Sequence, residues 1–116
     1  MATRSVVTFL FTDIEDSTRM WEGHPDAMEV ALARHDALLR RAIEEGGGVV
    51  FKTVGDAFCA VFAAASDCVR AAAAGQLALQ EELWPAPVTI RVRMAIHTGE
   101  CTRRDDDFFG PAVNRV

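Results

Sequence analysis

The chain has no apolar run approaching the roughly 20 residues that a membrane-spanning helix requires. Its Ala-rich stretch is interrupted by Asp67 and Arg70. A signal sequence is missing too, since Met1 to Leu10 carries Arg4 but no apolar core ending in a small-residue cleavage site. The three cysteines, Cys59, Cys68 and Cys101, are odd in number and lack CxxC spacing. Neither a disulfide framework nor a zinc site is indicated, and a cytoplasmic protein with unpaired thiols is expected. Basic residues are in deficit, with 12 Lys and Arg against 17 Asp and Glu and a net charge of −5. Nucleic-acid binders working through a basic face need surplus cations to neutralise phosphates, so that class is set aside. Any polyanionic substrate must arrive with cations.

What is present describes one small globular domain over residues 1–116, half of them hydrophobic. A chain of that length buries about two thirds of its unfolded surface, enough for a core without staples. Ser5 to Thr12, SVVTFLFT, is β-branched and aromatic without Gly or Pro, which predicts a buried strand ending at Asp13. Asp16, Ser17 and Thr18 can cap a short helical turn through Trp21, broken by Gly23 and Pro25. From Pro25 and Asp26 a longer helix is expected, with Met28, Ala31, His35, Leu38, Leu39 and Ala42 at helical spacing, up to Gly46-Gly47-Gly48. Val49 to Thr53 and Ala57 to Phe62 read as a β-hairpin with Gly55-Asp56 at its tip. A second helix is expected from Ser66 to Leu83, stopping before Pro85 and Pro87. Finally Thr89 to His97 alternates Ile90, Val92, Met94 and Ile96 inward against Arg91 and Arg93 outward, a half-buried strand.

The order strand, helix, hairpin, helix, strand predicts an α+β fold, the ferredoxin-like split βαβ core with an antiparallel sheet and helices on one face. A right-handed crossover makes the first two strands parallel and inserts the hairpin's return strand antiparallel between them. The end of the first strand then lies beside the hairpin tip, which brings Asp13 and Asp56 to one sheet edge. Two neighbouring carboxylates repel and tolerate ionisation best around a divalent cation, and oxygen donors suit Mg²⁺ or Mn²⁺. The turn at Glu15, Asp16, Ser17 and Thr18 offers free backbone N–H groups that can face phosphate oxygens. Taken singly, Asp13 is equally a helix cap and Asp56 a turn residue.

Three segments, FLFTDIEDST at Phe9 to Thr18, FKTVGDAF at Phe51 to Phe58 and DFFGPAVN at Asp107 to Asn114, together resemble the signature segments of class III nucleotide cyclases. The resemblance implies that Asp13 and Asp56 are metal-binding aspartates, with the Ile14 carbonyl a further ligand for two Mg²⁺ or Mn²⁺ ions. The implied reaction is in-line attack of a ribose 3′-oxygen on the α-phosphorus of a nucleoside triphosphate, closing a 3′,5′-cyclic monophosphate and expelling pyrophosphate. Lys52 and Asp107 match the pair that reads adenine in members using ATP. Lys52 would donate to N1 and the Asp107 carboxylate would accept from the N6 amine, a pattern that guanine reverses. On their own, Lys52 reads as a solvated strand-edge lysine and Asp107 as part of the acidic run Asp105-Asp106-Asp107.

Asn114 matches the asparagine that orients the ribose in the transition state, although an ordinary helix-start amide fits it equally. The family places an arginine four residues further on, past Val116, and Arg115 would face elsewhere on a helix. The family's domain also continues with further strands and a helix. This sequence is therefore expected to be part of a longer polypeptide, the other reading being a shortened relative with weak turnover. The family pairs head to tail, which implies a homodimer with two equivalent sites shared between chains. The expected function is adenylate cyclase acting on ATP. Guanylate cyclase, or a nucleotide-binding regulatory module with little catalysis, stands as the alternative. His97, His24 and His35 read as structural, Phe9, Phe11, Phe58 and Phe62 as core, and Trp21 and Trp84 as candidate dimer surface.

Overall fold

A computed structural model describes residues 3–104 and 107–109. The β-branched run at the start forms β1 (Thr3–Ile14), followed by α1 (Ser17–Gly23) and α2 (Pro25–Glu45). The hairpin is β2 (Val49–Val54) and β3 (Ala57–Phe62), and α3 (Ala65–Glu81), β4 (Val92–Arg104) and β5 (Asp107–Phe109) complete the described chain. The strand order is β2-β3-β1-β4-β5, with every neighbouring pair antiparallel. β2 thus runs parallel to β1 with β3 between them, the split βαβ core that the element order predicts.

Alternation along β1 divides its side chains between two faces. Leu10 and Ile14 join Met28, Leu39 and Ile43 of α2, Cys68 and Leu79 of α3, and Phe58 and Phe62 of β3 in one buried cluster. Among the described residues no helix contributes to the cluster on the opposite face. There Phe9 is fully buried together with Cys101, and Val7, Phe11, Phe51 and Val61 pack around them. The cluster draws on β1, β2, β3 and β4, so side chains of neighbouring strands cover Phe9.

Two glycines are required by geometry. A Cβ on Gly48 would stand 2.5 Å from the Phe62 ring, so only glycine lets α2 turn into β2 against that ring. Gly55 has φ of +60° at the first position of a two-residue hairpin loop closed by the Val54↔Ala57 pair, the arrangement in which glycine is favoured. Asp56 follows at the tip.

The last long strand departs from the expectation. It begins at Val92 rather than Thr89 and runs to Arg104 rather than His97. Ile90 and Val92 are buried as the alternation predicts, but among the described residues no strand pairing forms before Val92, and the Arg91 carbonyl instead accepts the Glu15 amide at 2.8 Å. The extension past His97 has little hydrophobic pattern and is held by the partner strand, from Val7↔Gly99 to Thr3↔Arg103. Ile96 was expected inward, yet it is 42% exposed, on a part of β4 where neither α2 nor α3 buries it. α3 ends at Glu81, and Leu83 stands exposed. Asp16 occupies the cap position of α1 with φ of 56° but makes no side-chain capping hydrogen bond. His35 and Phe58 are buried as core, whereas His24 is exposed at the junction of α1 and α2. All three cysteines are buried and none forms a disulfide.

Candidate functional site

The β1 strand delivers Asp13 to the sheet end one residue before its last, and α1 starts three residues later. A recess of about 480 Å³ opens between them, lined by Asp13, Ile14, Asp16, Ser17, Thr18 and Arg93 among others. The first α1 amides have no acceptor within the helix, since the first turn's hydrogen bond runs from Met20 N–H to the Asp16 carbonyl at 3.1 Å. Those of Ser17 and Thr18 therefore border the recess as donors. Glu15 differs, because its amide is already given to Arg91 and it is not among the lining residues.

Arg93 is the residue that sequence reasoning passed over. The alternation marked it as outward-facing, but only the β1–β4 register places it directly opposite Asp13, where its guanidinium donates to the Asp13 carboxylate. Both partners are half or more exposed, with Asp13 at 50% and Arg93 at 64%. Such a pair contributes little to stability. Its meaning is electrostatic: the Asp13 carboxylate is answered by the Arg93 guanidinium, a positive group that shares the recess with the α1 donors.

Asp56 lies half-buried at the β2–β3 tip. The β1–β3 register ends at Phe11↔Cys59, and beyond it the Phe58 amide donates to the Thr12 hydroxyl at 3.1 Å. Asp13 comes one residue after that bond on β1, and Asp56 two residues before it, in the hairpin turn that leads into β3. The two carboxylates thus stand at the ends of adjacent strands, although Asp56 is not among the residues lining the recess. Among the described residues no three His, Cys, Asp or Glu side chains cluster tightly enough to hold a metal by themselves. The candidate donors, the Asp13 and Asp56 carboxylates and the Ile14 carbonyl, are all oxygen. They fit a hard divalent cation that takes its remaining ligands from water or phosphate.

Lys52 sits on β2 just past a β-bulge. Register shifts between Val50↔Ala60 and Lys52↔Cys59, so Phe51 and Lys52 both oppose Cys59. A bulge of this kind turns two successive residues to one face. Here that is the face of the Phe9 cluster, where the Phe51 ring meets Phe9 edge-on at 5.9 Å. The hairpin was legible in the sequence, but the bulge was not. Asp107 begins β5 opposite Arg104, and its side chain lies outside the described residues, as does Asn114 altogether.

A larger recess of about 680 Å³ lies at the end of α3, between Leu79, Trp84, Ile90 and Val92. Its acidic residue, Glu82, is paired with Arg34 at 3.0 Å, and among the described residues no second carboxylate lines it. Among the described residues no helix is long and apolar enough to cross a membrane.

Residues 1–115 match the family model for the adenylate and guanylate cyclase catalytic domain. An adenylate cyclase of Podospora anserina is 35% identical over 140 residues, covering 99% of this chain and 6% of that protein. An uncharacterized protein of Mycobacterium tuberculosis is 41% identical over 112 residues, covering 95% of this chain and 37% of that protein. Among solved structures, a Trypanosoma brucei adenylate cyclase in its monomeric state superposes with a TM-score of 0.88 at 30% identity, covering 95% of this chain and 66% of that one. The chain therefore spans only part of the length of these relatives.

Proposed function

Because the chain belongs to the adenylate and guanylate cyclase catalytic domain family, we propose that it converts ATP to 3′,5′-cyclic AMP and pyrophosphate. The observation that carries this reading is the sheet end itself, where Asp13, Arg93 and the start of α1 share one recess. Asp13, Asp56 and the Ile14 carbonyl would hold two Mg²⁺ or Mn²⁺ ions. Bound there, such ions lower the pKa of the 3′-hydroxyl and neutralise the triphosphate. Arg93 offers its guanidinium, and Ser17 and Thr18 their amides, to the phosphate oxygens, while Asp16 lines the same recess and Glu15 shapes the turn.

Lys52 and Asp107 read the base, one donating to N1 of adenine and the other accepting from its N6 amine. Asn114 orients the ribose. The active form is a head-to-tail homodimer in which one chain supplies the aspartates and its partner the base-reading residues and Asn114. Monomers should then be inactive.

Product formation tests the reading. The chain, and any longer reading frame that carries it, is incubated with Mn²⁺ and either ATP or GTP, and the cyclic nucleotides are separated by chromatography. Cyclic AMP in excess of cyclic GMP is expected, with preference moving towards GTP in the double variant Lys52→Glu with Asp107→Cys. Absence of both products from both chains sinks the enzymatic reading. Mixing Asp13→Ala chains with Lys52→Glu chains tests site sharing, since one intact site per heterodimer should restore turnover. No recovery on mixing contradicts the shared site.

A further inference from the structure

We propose that Thr12 is a positioning residue for the metal site: by accepting the Phe58 amide, its hydroxyl sets the separation of the two strands that end in Asp13 and Asp56. The inference rests on the reading of those aspartates as metal ligands.

Strand β1 is held differently on its two sides as it nears the site. Towards β4 its register continues through Asp13↔Arg93 to Ile14↔Val92, so the Asp13 backbone is fixed to that neighbour. Towards β3 the last register pair is Phe11↔Cys59, although β1 continues to Ile14 and β3 begins at Ala57. In that stretch the Phe58 amide is taken by a side chain, Thr12 Oγ1 at 3.1 Å, and Thr12 is only 3% exposed. A side-chain acceptor reaches further across than a strand's own carbonyl, so the strands are tied here without being drawn to ladder spacing. That leaves room between the carboxylates just beyond it.

Phe58 passes the constraint on. Its ring meets the buried His35 ring edge-on at 5.7 Å, and the Arg40 guanidinium lies 5.4 Å from its centre, so α2 fixes the side chain while Thr12 fixes the amide. Asp56 is two residues away on a hairpin closed tightly by Gly55. The Thr12 hydroxyl is thus the last described tie between the strand bearing Asp13 and the strand bearing Asp56. Outer-shell groups of this kind commonly alter metal affinity by about 10- to 100-fold when removed.

The test uses Mn²⁺ alone, titrated into the full chain and followed by electron paramagnetic resonance, at a temperature where circular dichroism shows every variant folded. Thr12→Val keeps the volume and removes the hydroxyl. It is expected to raise the Mn²⁺ dissociation constant about tenfold and to speed hydrogen exchange at the Phe58 amide, while Thr12→Ser stays within about twofold of wild type. Thr12→Ala, which adds no bulk, should show the same loss, and wild-type affinity in whichever of the two folds overturns the proposal. Asp13→Asn separates the two levels. If it binds Mn²⁺ as tightly as wild type, or if wild type does not bind at all, the metal-site reading fails and the role of Thr12 with it.

Discussion

The two flanks of β1 have different tasks. On the β4 side the strand is paired along its whole length, from Thr3↔Arg103 to Ile14↔Val92, and it ends in an ion pair between Asp13 and Arg93. On the β3 side the pairing runs from Thr8↔Phe62 to Phe11↔Cys59, after which the Phe58 amide is donated to the Thr12 side chain. Continuous pairing fixes β1 to β4 up to the strand's end, whereas on the β3 side the ladder stops before Asp13. The site is expected where the sheet stops being regular, whereas stability resides in the cluster under α2 and α3, where Phe62, Leu39 and Ile43 are almost fully excluded from water.

This division can be broken at its functional end first. Asp13→Asn and Asp56→Asn are each expected to lower cyclic AMP formation by more than about a thousandfold, because charge stabilisation by bound metal supplies several kcal/mol of the barrier reduction. Their melting curves should be unchanged, since the Asp13–Arg93 pair is exposed. At the structural end, Phe62→Ala should cost about 3–5 kcal/mol in denaturant unfolding, the combined loss of transfer energy and packing. Gly55→Ala probes the hairpin between them. Its positive φ makes any Cβ unfavourable, and a loss of about 1–2 kcal/mol is expected, with Mn²⁺ binding weakened because Asp56 is the next residue.

Two smaller effects sharpen the contrast further. Burial pushes the Cys68 thiol up to about 11, and that of Cys101 upward as well, so both stay neutral at physiological pH. A thiol whose pKa is higher when folded contributes stability that is intact below the unfolded value, near 9, and is lost as pH rises towards 11. Denaturant melts between these limits should show that decline, and Cys68→Ala should flatten it. Smallest of all, Arg41→Ala removes an exposed pair with Glu45 at 2.8 Å and should leave the melting temperature within error.

Much of this was legible in the residues, and the gaps have physical causes. Strong periodicity marked α2 from Pro25, and Gly55-Asp56 marked the hairpin, because both depend on local propensity. The adjacency of the end of β1 and the start of β3, which places Asp13 and Asp56 at one sheet edge, followed from crossover handedness and element order. Arg93 was legible as outward but not as a site residue, since its place opposite Asp13 is a matter of register between distant strands. The bulge at Phe51 is a register event for the same reason, and it decides which face Lys52 occupies. The half of β4 beyond His97 has little hydrophobic alternation, so its pairing partner, not its own sequence, makes it a strand.

The central claim is that Asp13 and Asp56 jointly grip divalent cations. Its most direct test is a crystal of the chain grown with Mn²⁺ and 3′-deoxy-ATP, which cannot cyclise, examined by anomalous scattering. The account predicts two manganese peaks about 3.5–4 Å apart, with carboxylate oxygens of both residues in coordination contact. Nucleotide bound with manganese on neither carboxylate, or with the two side chains turned away from each other, contradicts it.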